Sequence, residues 1–355
     1  MSTVLITGIG GLTPRSIAKT IRANHPDFRI IGCDIDQTAI GFYIDGLLDE
    51  RYVCPRCDEQ SYFPFIEKLV EDKGVDFAFV QPEAEVVAWA NYRERMGFYP
   101  CPTLMGGARM ATSLRDKAIT AELLSGTEFM PRTITVTHND PRTDLVEQLI
   151  GFPCWIRATV GTGGLGSLKL SDTESYHSWL EMNAAIPKFT ICEFLPGRHL
   201  ANEMLYWKGE YIKGAALECA EYVMASTAPS RVTGNTRLGR LLNDNSINEF
   251  CDRCVHYLEA KLHERAHGVL SFDLKEDAAG NLKVTEINIR HMAYTGVLAQ
   301  AGFDLIEDTI KIHEERDCDG IPRDKFHTWD GPRVFLRDVD VEPILLDEQK
   351  WVNAS

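Results

Sequence analysis

The chain has 355 residues, of which 44% are hydrophobic and 25% charged, a composition typical of a globular protein with two or three packed subdomains. A formal net charge of −15 argues against nucleic acid as a partner, because such binding depends on Lys and Arg that neutralise phosphates. No apolar run approaches the ~20 residues of a membrane helix, and the N-terminus lacks the basic flank of a signal peptide. We therefore expect a cytoplasmic protein with no membrane partner and with free thiols.

The first hundred residues alternate apolar strands with helices. The predicted elements are strands at 3–7, 29–33 and 76–80, a helix beginning at Pro14 and a helix at 65–71. This alternation is typical of a parallel sheet with helices on both faces. Pro100 and Pro102 then predict the end of an α/β unit, because two prolines interrupt regular structure.

The rest of the chain is predicted to be mostly antiparallel. Helices are expected at 113–125, 144–150 and 246–266, and strands at 152–158, 168–170, 189–195, 202–207, 211–218, 269–275 and 282–288. The last two strands form a hairpin around the turn at 277–280. The tail from 311 to 355 contains no motif that indicates a function.

The last hairpin carries a set of oxygen ligands. Glu286 and Asn288 are two residues apart on one strand, so their side chains share a face, and Asp273 lies on the facing strand. Two carboxylates and an amide oxygen suit Mg²⁺, a hard cation. Arg290 follows, where its guanidinium could hold a phosphate. The alternative is a solvated polar face of a hairpin.

Three further features precede this hairpin. Arg157 near the end of a strand is followed by a loop with four glycines between 161 and 166, where backbone N–H groups can approach a phosphate. The loop is not a Walker A motif, because no Gly-Lys-Ser/Thr closes it. The strand end at Glu193 to Leu195 could offer backbone donors and acceptors to an adenine edge. Lys117, on an early helix, could reach a phosphate or could simply be solvated.

Together these features resemble the ATP-grasp superfamily, most closely its carbamoyl phosphate synthetase-like and biotin carboxylase-like branch, from about Lys117 to about Arg290. The resemblance implies an α/β and α+β architecture. Its parts are an N-terminal Rossmann-like pre-ATP-grasp domain at 1–105, an ATP-grasp domain at 106–310 with a glycine-loop subdomain at about 127–195, and a C-terminal extension at 311–355.

The same resemblance implies roles for individual residues. The predicted ATP-binding residues are Lys117, Arg157, Gly163, Gly164, Gly166, Ser167, Glu193, Leu195 and Glu203. The predicted Mg²⁺ ligands, with Mn²⁺ as the alternative metal, are Asp273, Glu286 and Asn288, and the predicted catalytic residues are Arg290 and Arg157. Where the family usually has an acid for the ribose, this chain has Arg198-His199, so His199, Asn202 and Glu203 are the candidates.

The implied activity is ATP-dependent ligation of a small-molecule carboxylate to an amine, or to a thiol, through an acyl phosphate and with release of ADP and phosphate. Arg231 and Arg237, in a polar segment at 225–240, are candidates for binding the carboxylate, with a solvated loop as the alternative. A bicarbonate-activating carboxylase or carbamoyl-type enzyme and a non-catalytic nucleotide-binding module are the rival functions. The chain could also form a homodimer.

Two other patterns are weaker. Gly8, Gly10 and Gly11 followed by Asp34 resemble a dinucleotide-binding fingerprint, which would indicate an oxidoreductase, but Thr13 occupies the third glycine position. The pairs Cys54/Cys57 and Cys251/Cys254 have zinc-like spacing. The two pairs are too far apart in sequence for a compact zinc site, and buried thiols are expected instead.

Overall fold

The computed structural model describes residues 2–161, 163–339 and 344–347, and it has three sheets. The N-terminal sheet is parallel, with the strand order β3-β2-β1-β4. Its strands are β1 (Thr3–Thr7), β2 (Arg29–Asp34), β3 (Glu50–Val53) and β4 (Phe77–Phe79), and the helices of this unit are α1 (Leu12–Asn24), α2 (Tyr62–Lys73) and α3 (Glu83–Met96).

Helices cover both faces of this parallel sheet. Val4 and Ile6 of β1 pack with Ile17 of α1 in one apolar core, whereas Leu5 packs with Trp89 of α3 in another. Because successive side chains of a strand point to opposite faces, this division confirms a mixed α/β arrangement in the first hundred residues.

The middle of the chain forms a small antiparallel sheet, with the order β5-β8-β6-β7. The elements in this part of the chain are α4 (Ala108–Arg115), α5 (Lys117–Leu123), β5 (Thr133–Val136), α6 (Thr143–Leu145), β6 (Cys154–Ala158), β7 (Leu168–Leu170), α7 (Thr173–Met182) and β8 (Phe189–Glu193). The predicted helix at 144–150 is only partly α-helical, because Val146–Ile150 forms a π-helical turn.

The remaining strands form an antiparallel sheet of seven, with the order β13-β12-β9-β10-β11-β14-β15. Its elements are β9 (His199–Trp207), β10 (Glu210–Tyr222), β11 (Thr236–Leu242), α8 (Asn245–Leu262), β12 (Gly268–Glu276), β13 (Leu282–Asn288), α9 (Thr295–Gln300), α10 (Leu305–Glu315), β14 (Arg333–Leu336) and β15 (Ile344–Asp347). None of the helices among the described residues is long and apolar enough to cross a membrane.

The single helix predicted at 113–125 is two helices. Asp116 has an extended backbone and its Oδ1 accepts the N–H of Ala118 at 2.8 Å, so it ends α4 and caps α5. Aspartate favours this position because its short side chain satisfies a free N–H at the start of a helix. Lys117 therefore stands at the first position of α5 and is only 6% exposed, which excludes the solvated alternative.

The tail after residue 310 is not separate from the rest of the protein. α10 runs across the predicted boundary at 310/311, and β14 pairs with β11 in the seven-stranded sheet. Residues 340–343 and 348–355 of the predicted extension lie outside the described residues. All ten cysteines are unpaired, and Cys251 and Cys254 are buried in α8, as predicted.

Candidate functional site

A cavity of ≈ 380 Å³ lies between the four-stranded and seven-stranded antiparallel sheets. Its size is typical of a small-molecule site. The cavity is lined by nine of the predicted site residues, which are Lys117, Arg157, Gly163, Gly164, Ser167, Glu193, Leu195, Asp273 and Glu286. Residues separated by more than 160 positions in the chain therefore lie around one cavity.

The acidic face of the last hairpin points into the cavity. Asp273 and Glu286 are directly opposite each other in the β12–β13 ladder, so their carboxylates share a face. A β-bulge follows this pair, and its extra residue, Thr285, donates its Oγ1–H to the carbonyl oxygen of Asp273 at 3.0 Å. Asn288 lies behind the lining, with its Nδ2 3.4 Å from Asp273 Oδ2. Two carboxylates with an adjacent amide are a donor set suited to Mg²⁺.

Lys117 is held inside the cavity by this acidic face. Its Nζ lies 2.9 Å from Glu286 Oε1 and donates to the carbonyl oxygen of Gly161 at 3.3 Å. The lysine thus connects the carboxylate of β13 to the start of the glycine loop. A buried ammonium held by a carboxylate is available to a phosphate only if that carboxylate finds another partner.

Two arginines of the cavity have no carboxylate partner within the part of the chain that the structure describes. Arg157 donates from Nη2 to the carbonyl oxygen of Thr285, and its Nε is buried without a hydrogen bond. Arg337, one residue beyond β14, is 7% exposed and donates from Nη1 to the carbonyl oxygen of Thr236 at 3.2 Å. Burial lowers the pKa of Arg337. Arg337 is thus a buried cation and Arg157 a half-buried one, and cations in such surroundings without a carboxylate partner favour an anionic ligand.

The strand end proposed to hold adenine has aromatic and basic neighbours. Lys275 donates its Nζ–H to the carbonyl oxygen of Leu195 at 2.9 Å, and burial lowers the pKa of this lysine. The Nζ of Lys169 lies 4.1 Å from the centroid of the Phe194 ring. The carboxylate of Glu193 is engaged by Arg132 at 3.1 Å. This strand end from Glu193 to Leu195, which we call the hinge, is thus contacted by three basic side chains, and Phe194 contributes an aromatic surface to the cavity.

His199 lines the cavity next to Asp273. Its Nδ1 forms a hydrogen bond with the hydroxyl of Tyr222, and its Nε2 lies 3.6 Å from Asp273 Oδ1. A bulge near the end of β10 turns Tyr222 toward the cavity. Burial raises the pKa of Tyr222 well above its usual value, so its hydroxyl is a donor at neutral pH. Of the three ribose candidates, only His199 contacts the cavity.

Several predicted residues lie outside the cavity lining. Glu203 is fully buried, where its Oε1 accepts the N–H of Met292 at 3.0 Å, and Asn202 is buried against Asn248. These positions argue against the prediction that Glu203 binds the nucleotide. Gly166 fills a packing role, because an added Cβ would lie 2.7 Å from Ile186 Cδ1.

The predicted arginines at 231, 237 and 290 are also outside this lining. Arg231 is exposed, and Arg237 is paired at the surface with Glu221 at 2.8 Å. The side chain of Arg237 points away because it alternates along β11 with Thr236, which does line the cavity. Arg290 is bound by Glu83 of α3 at 2.7 Å.

Arg337, Tyr222, Tyr294 and Lys275 are cavity residues that the sequence analysis did not identify. Arg337 follows a short strand in the tail without motifs, and only the pairing of β14 with β11 brings it to the cavity. Lys275 belongs to the recognised hairpin, so its two-residue spacing from Asp273 was a usable signal.

The N-terminal glycine turn is closed by its own aspartate. Asp34 Oδ2 accepts the N–H of Gly10 at 2.8 Å, and Oδ1 accepts the N–H of Asp36 at 3.0 Å. An acid that binds the ribose of a dinucleotide needs these oxygens free. The turn therefore gives no support to the oxidoreductase interpretation.

Comparison with known proteins identifies solved structures that share the fold of this chain. No protein-family model and no curated protein matches the sequence. Among solved structures that resemble the chain, N5-carboxyaminoimidazole synthetase from Staphylococcus aureus in complex with ADP has a TM-score of 0.67 at 15% identity, with 94% of this chain and 82% of that one covered. L-amino acid ligase from Bacillus licheniformis has a TM-score of 0.69 at 10% identity, with 95% and 80% covered.

A third similar structure is the biotin carboxylase domain dimer of 2-oxoglutarate carboxylase from Hydrogenobacter thermophilus, in complex with MgADP, ADP and bicarbonate. Its TM-score is 0.67 at 16% identity, with 95% of this chain and 74% of that one covered. At such identities the likeness shows the fold alone. The chain has an ATP-grasp fold that resembles the biotin carboxylase-like branch.

Proposed function

We propose that this protein is a ligase that uses Mg²⁺-ATP to convert a small-molecule carboxylate into an acyl phosphate and joins it to an amine. The observation that carries the proposal is one cavity that combines the paired carboxylates of Asp273 and Glu286 with two arginines that have no carboxylate partner among the residues the structure describes. In this proposal the N-terminal parallel sheet is the Rossmann-like domain that precedes the ATP-grasp domain.

Different side chains of the cavity bind the two substrates, the nucleotide and the carboxylate. Arg157 and Lys117 bind the nucleotide phosphates, the hinge from Glu193 to Leu195 holds the adenine, and His199 contacts the ribose. The unpaired Nε of Arg157 fits this role, because a phosphate oxygen would satisfy it. Arg337 binds the carboxylate and orients it toward the terminal phosphate, where positioning and charge balance supply most of the catalysis.

Asp273 and Glu286, with Asn288 behind them, would hold Mg²⁺, and Mn²⁺ suits the same oxygen ligands. The ion neutralises phosphate charge when bound. The glycine loop excludes water from the acyl phosphate, and the attacking amine displaces the phosphate group to complete the bond.

Activation of bicarbonate is the second candidate. It is favoured by the deep burial of Arg337 at 7% exposure, since an enclosed guanidinium suits a small anion. ADP release would be measured with a panel of organic carboxylates and amines and with bicarbonate alone, and joined products would be identified by mass spectrometry. Release with bicarbonate alone would favour the carboxylase. Nucleotide binding without release in any mixture would favour a non-catalytic module.

The pair Arg337→Gln and Arg237→Gln tests where the carboxylate binds. We expect Arg337→Gln to raise the KM for the carboxylate by about ten- to a hundredfold, the value of a lost charge-assisted hydrogen bond. The affinity for MgADP should stay near that of the unmodified protein. Arg237→Gln is the matched control, because its side chain is 47% exposed and faces away from the cavity. An increase in KM with Arg237→Gln but not with Arg337→Gln would contradict the assignment.

A further inference from the structure

Arg290 is tied to the N-terminal unit by an ion pair that spans 207 positions of the chain. Its Nη2 donates to Glu83 Oε1 at 2.7 Å, and the two side chains are only 17% and 14% exposed. Its Nη1 donates to the carbonyl oxygen of His291 at 3.0 Å and lies 3.8 Å from Met292 Sδ. The guanidinium is therefore held from two sides, by α3 and by its own backbone.

Arg290 stands where the acidic face of the hairpin ends. Glu286 and Asn288 precede it at two-residue intervals, and Met292, two residues later, lines the cavity. A free guanidinium at this place would be attracted to the carboxylates of Asp273 and Glu286. Glu83 offers Arg290 a partner on the opposite side, where water screens the pair poorly.

The position of Glu83 is itself fixed by the fold. It is the first residue of α3, and an acid in the first helical turn is stabilised by the free N–H groups there. Pro82 precedes it and packs against the glycine turn, where a Cβ added at Gly8 would lie 2.4 Å from Pro82 Cγ. Glu83 is thus a rigid counter-ion supplied by the parallel-sheet unit.

We propose that Glu83 is a positioning residue for Arg290: it keeps the guanidinium away from the paired carboxylates and oriented for the terminal phosphate of the nucleotide. This inference rests on the proposed function, the binding of Mg²⁺-ATP in the cavity, and adds to it a role for Arg290, whose Nη1 lies 3.8 Å from the sulfur of the lining residue Met292. Glu83 acts through Arg290 and contacts no reacting atom. The parallel-sheet unit thereby contributes to chemistry that occurs in the cavity between the other two sheets.

The test compares two nucleotides that differ in the terminal phosphate, so that no carboxylate substrate is needed. Calorimetry would give the affinities for ADP and for the non-hydrolysable β,γ-imido analogue of ATP, both with Mg²⁺. The variants are Glu83→Gln, Arg290→Gln and the double variant, with Glu94→Gln as the control because Glu94 is exposed on the same helix. Thermal melting would confirm that each variant is folded.

Arg290→Gln should weaken binding of the imido analogue relative to ADP by about tenfold, the loss of one charge-assisted hydrogen bond. Glu83→Gln should show most of this loss, Glu83→Asp should recover part of it, and Glu94→Gln should show none. The double variant should be no worse than Arg290→Gln alone, since the two residues act as one unit.

An unchanged ratio of affinities in Glu83→Gln, or losses that add in the double variant, would overturn the role of Glu83. An unchanged ratio in Arg290→Gln would overturn it as well, because Arg290 would then not meet the terminal phosphate. Failure of the unmodified protein to bind ADP at all would instead refute the proposed function, so the two failures are distinguishable. Loss of folding in Glu83→Gln alone, with a normal ratio in the folded Glu83→Asp variant, would assign Glu83 a purely structural role.

Discussion

At the scale of single residues, the pairing of Lys117 with Glu286 would link the binding of nucleotide and metal in the proposed function. Lys117 and Glu286 neutralise each other at 2.9 Å, and their side chains are 7% and 24% exposed. A phosphate that takes Lys117 leaves the carboxylate of Glu286 unpaired next to a second negative charge. Leaving a buried charge unpaired is unfavourable. A divalent cation at Glu286 removes this penalty, which links the two binding events.

Glu286→Gln tests this linkage through ADP binding with and without Mg²⁺. We expect the variant to bind metal-free ADP about tenfold more tightly than the unmodified protein, because Lys117 no longer has a charged partner. The gain in affinity that Mg²⁺ provides should largely disappear. Glu221→Gln is the control, since its ion pair with Arg237 is exposed at the surface. Weaker or equal binding of metal-free ADP in Glu286→Gln would show that the pair does not hold Lys117 back.

At the scale of elements, the glycine loop after β6 meets the loop between β10 and β11. A Cβ added at Gly164 would lie 2.2 Å from the carbonyl oxygen of Val232, whereas one added at Gly163 would have only Thr233 O within reach, at 3.9 Å. The contact therefore depends on the missing side chain at Gly164. The two loops line the same cavity, so their contact helps to enclose it.

The variants Gly164→Ala and Gly163→Ala separate this contact from backbone strain. Both glycines have positive φ angles, +73° and +67°, so alanine strains the backbone similarly at either position. Only Gly164→Ala should force the loops apart and weaken binding of the imido analogue further, by about 1–3 kcal/mol. Amide hydrogen exchange at 223–235 should rise in that variant alone. Equal affinities and equal exchange in both variants would rule out a role for the loop contact.

At the scale of the whole molecule, α10 joins the parallel-sheet unit to the seven-stranded sheet. Ile306 and Ile310 pack into the core formed by β1 and α1, and Asp308 forms an ion pair with Lys213 of β10. The side chains of Lys213 and Asp308 are 10% and 5% exposed. Burial raises the pKa of Asp308 even though Lys213 opposes the shift. The two units are thus connected through a helix that combines apolar packing with a buried charge pair.

Asp308→Asn should lower the free energy of unfolding by about 3–5 kcal/mol, because it leaves the Lys213 ammonium buried and unpaired. The double variant Lys213→Met with Asp308→Leu should recover most of this loss. Lys311→Met is the control on the same helix, where the exposed pair with Glu307 is worth under about 1 kcal/mol. Urea unfolding followed by circular dichroism would measure all three variants. If Asp308→Asn were as stable as the unmodified protein, the ion pair between Asp308 and Lys213 would not be needed for stability.

Local sequence patterns determined the acidic hairpin and the order of the motifs. Alternation along β13 put Glu286 and Asn288 on one face, and the turn at 277–280 fixed the pairing of Glu276 with Leu282, because a hairpin sets its own register. The pairing of Asp273 with Glu286 was not predictable in this way, because it depends on the bulge at Thr285. The strands that contain Arg157 and Glu193 were also predictable from the local sequence. Helix boundaries were less so: Asp116 ends one helix and begins another, and it does this through a hydrogen bond two residues away.

Tertiary structure alone decided which charged side chains meet in the cavity. Arg337 reaches it through the pairing of β14 with β11. Outside the cavity lining, Arg290 forms its ion pair with Glu83 at the start of α3, in the parallel-sheet unit. Strand alternation also gave Glu203 the same face as Asp273, yet it could not tell that Glu203 lies fully buried beneath Met292. Periodicity reports the direction of a side chain relative to its own strand. What covers that side chain is set by elements far away in the sequence, through packing that no local pattern records.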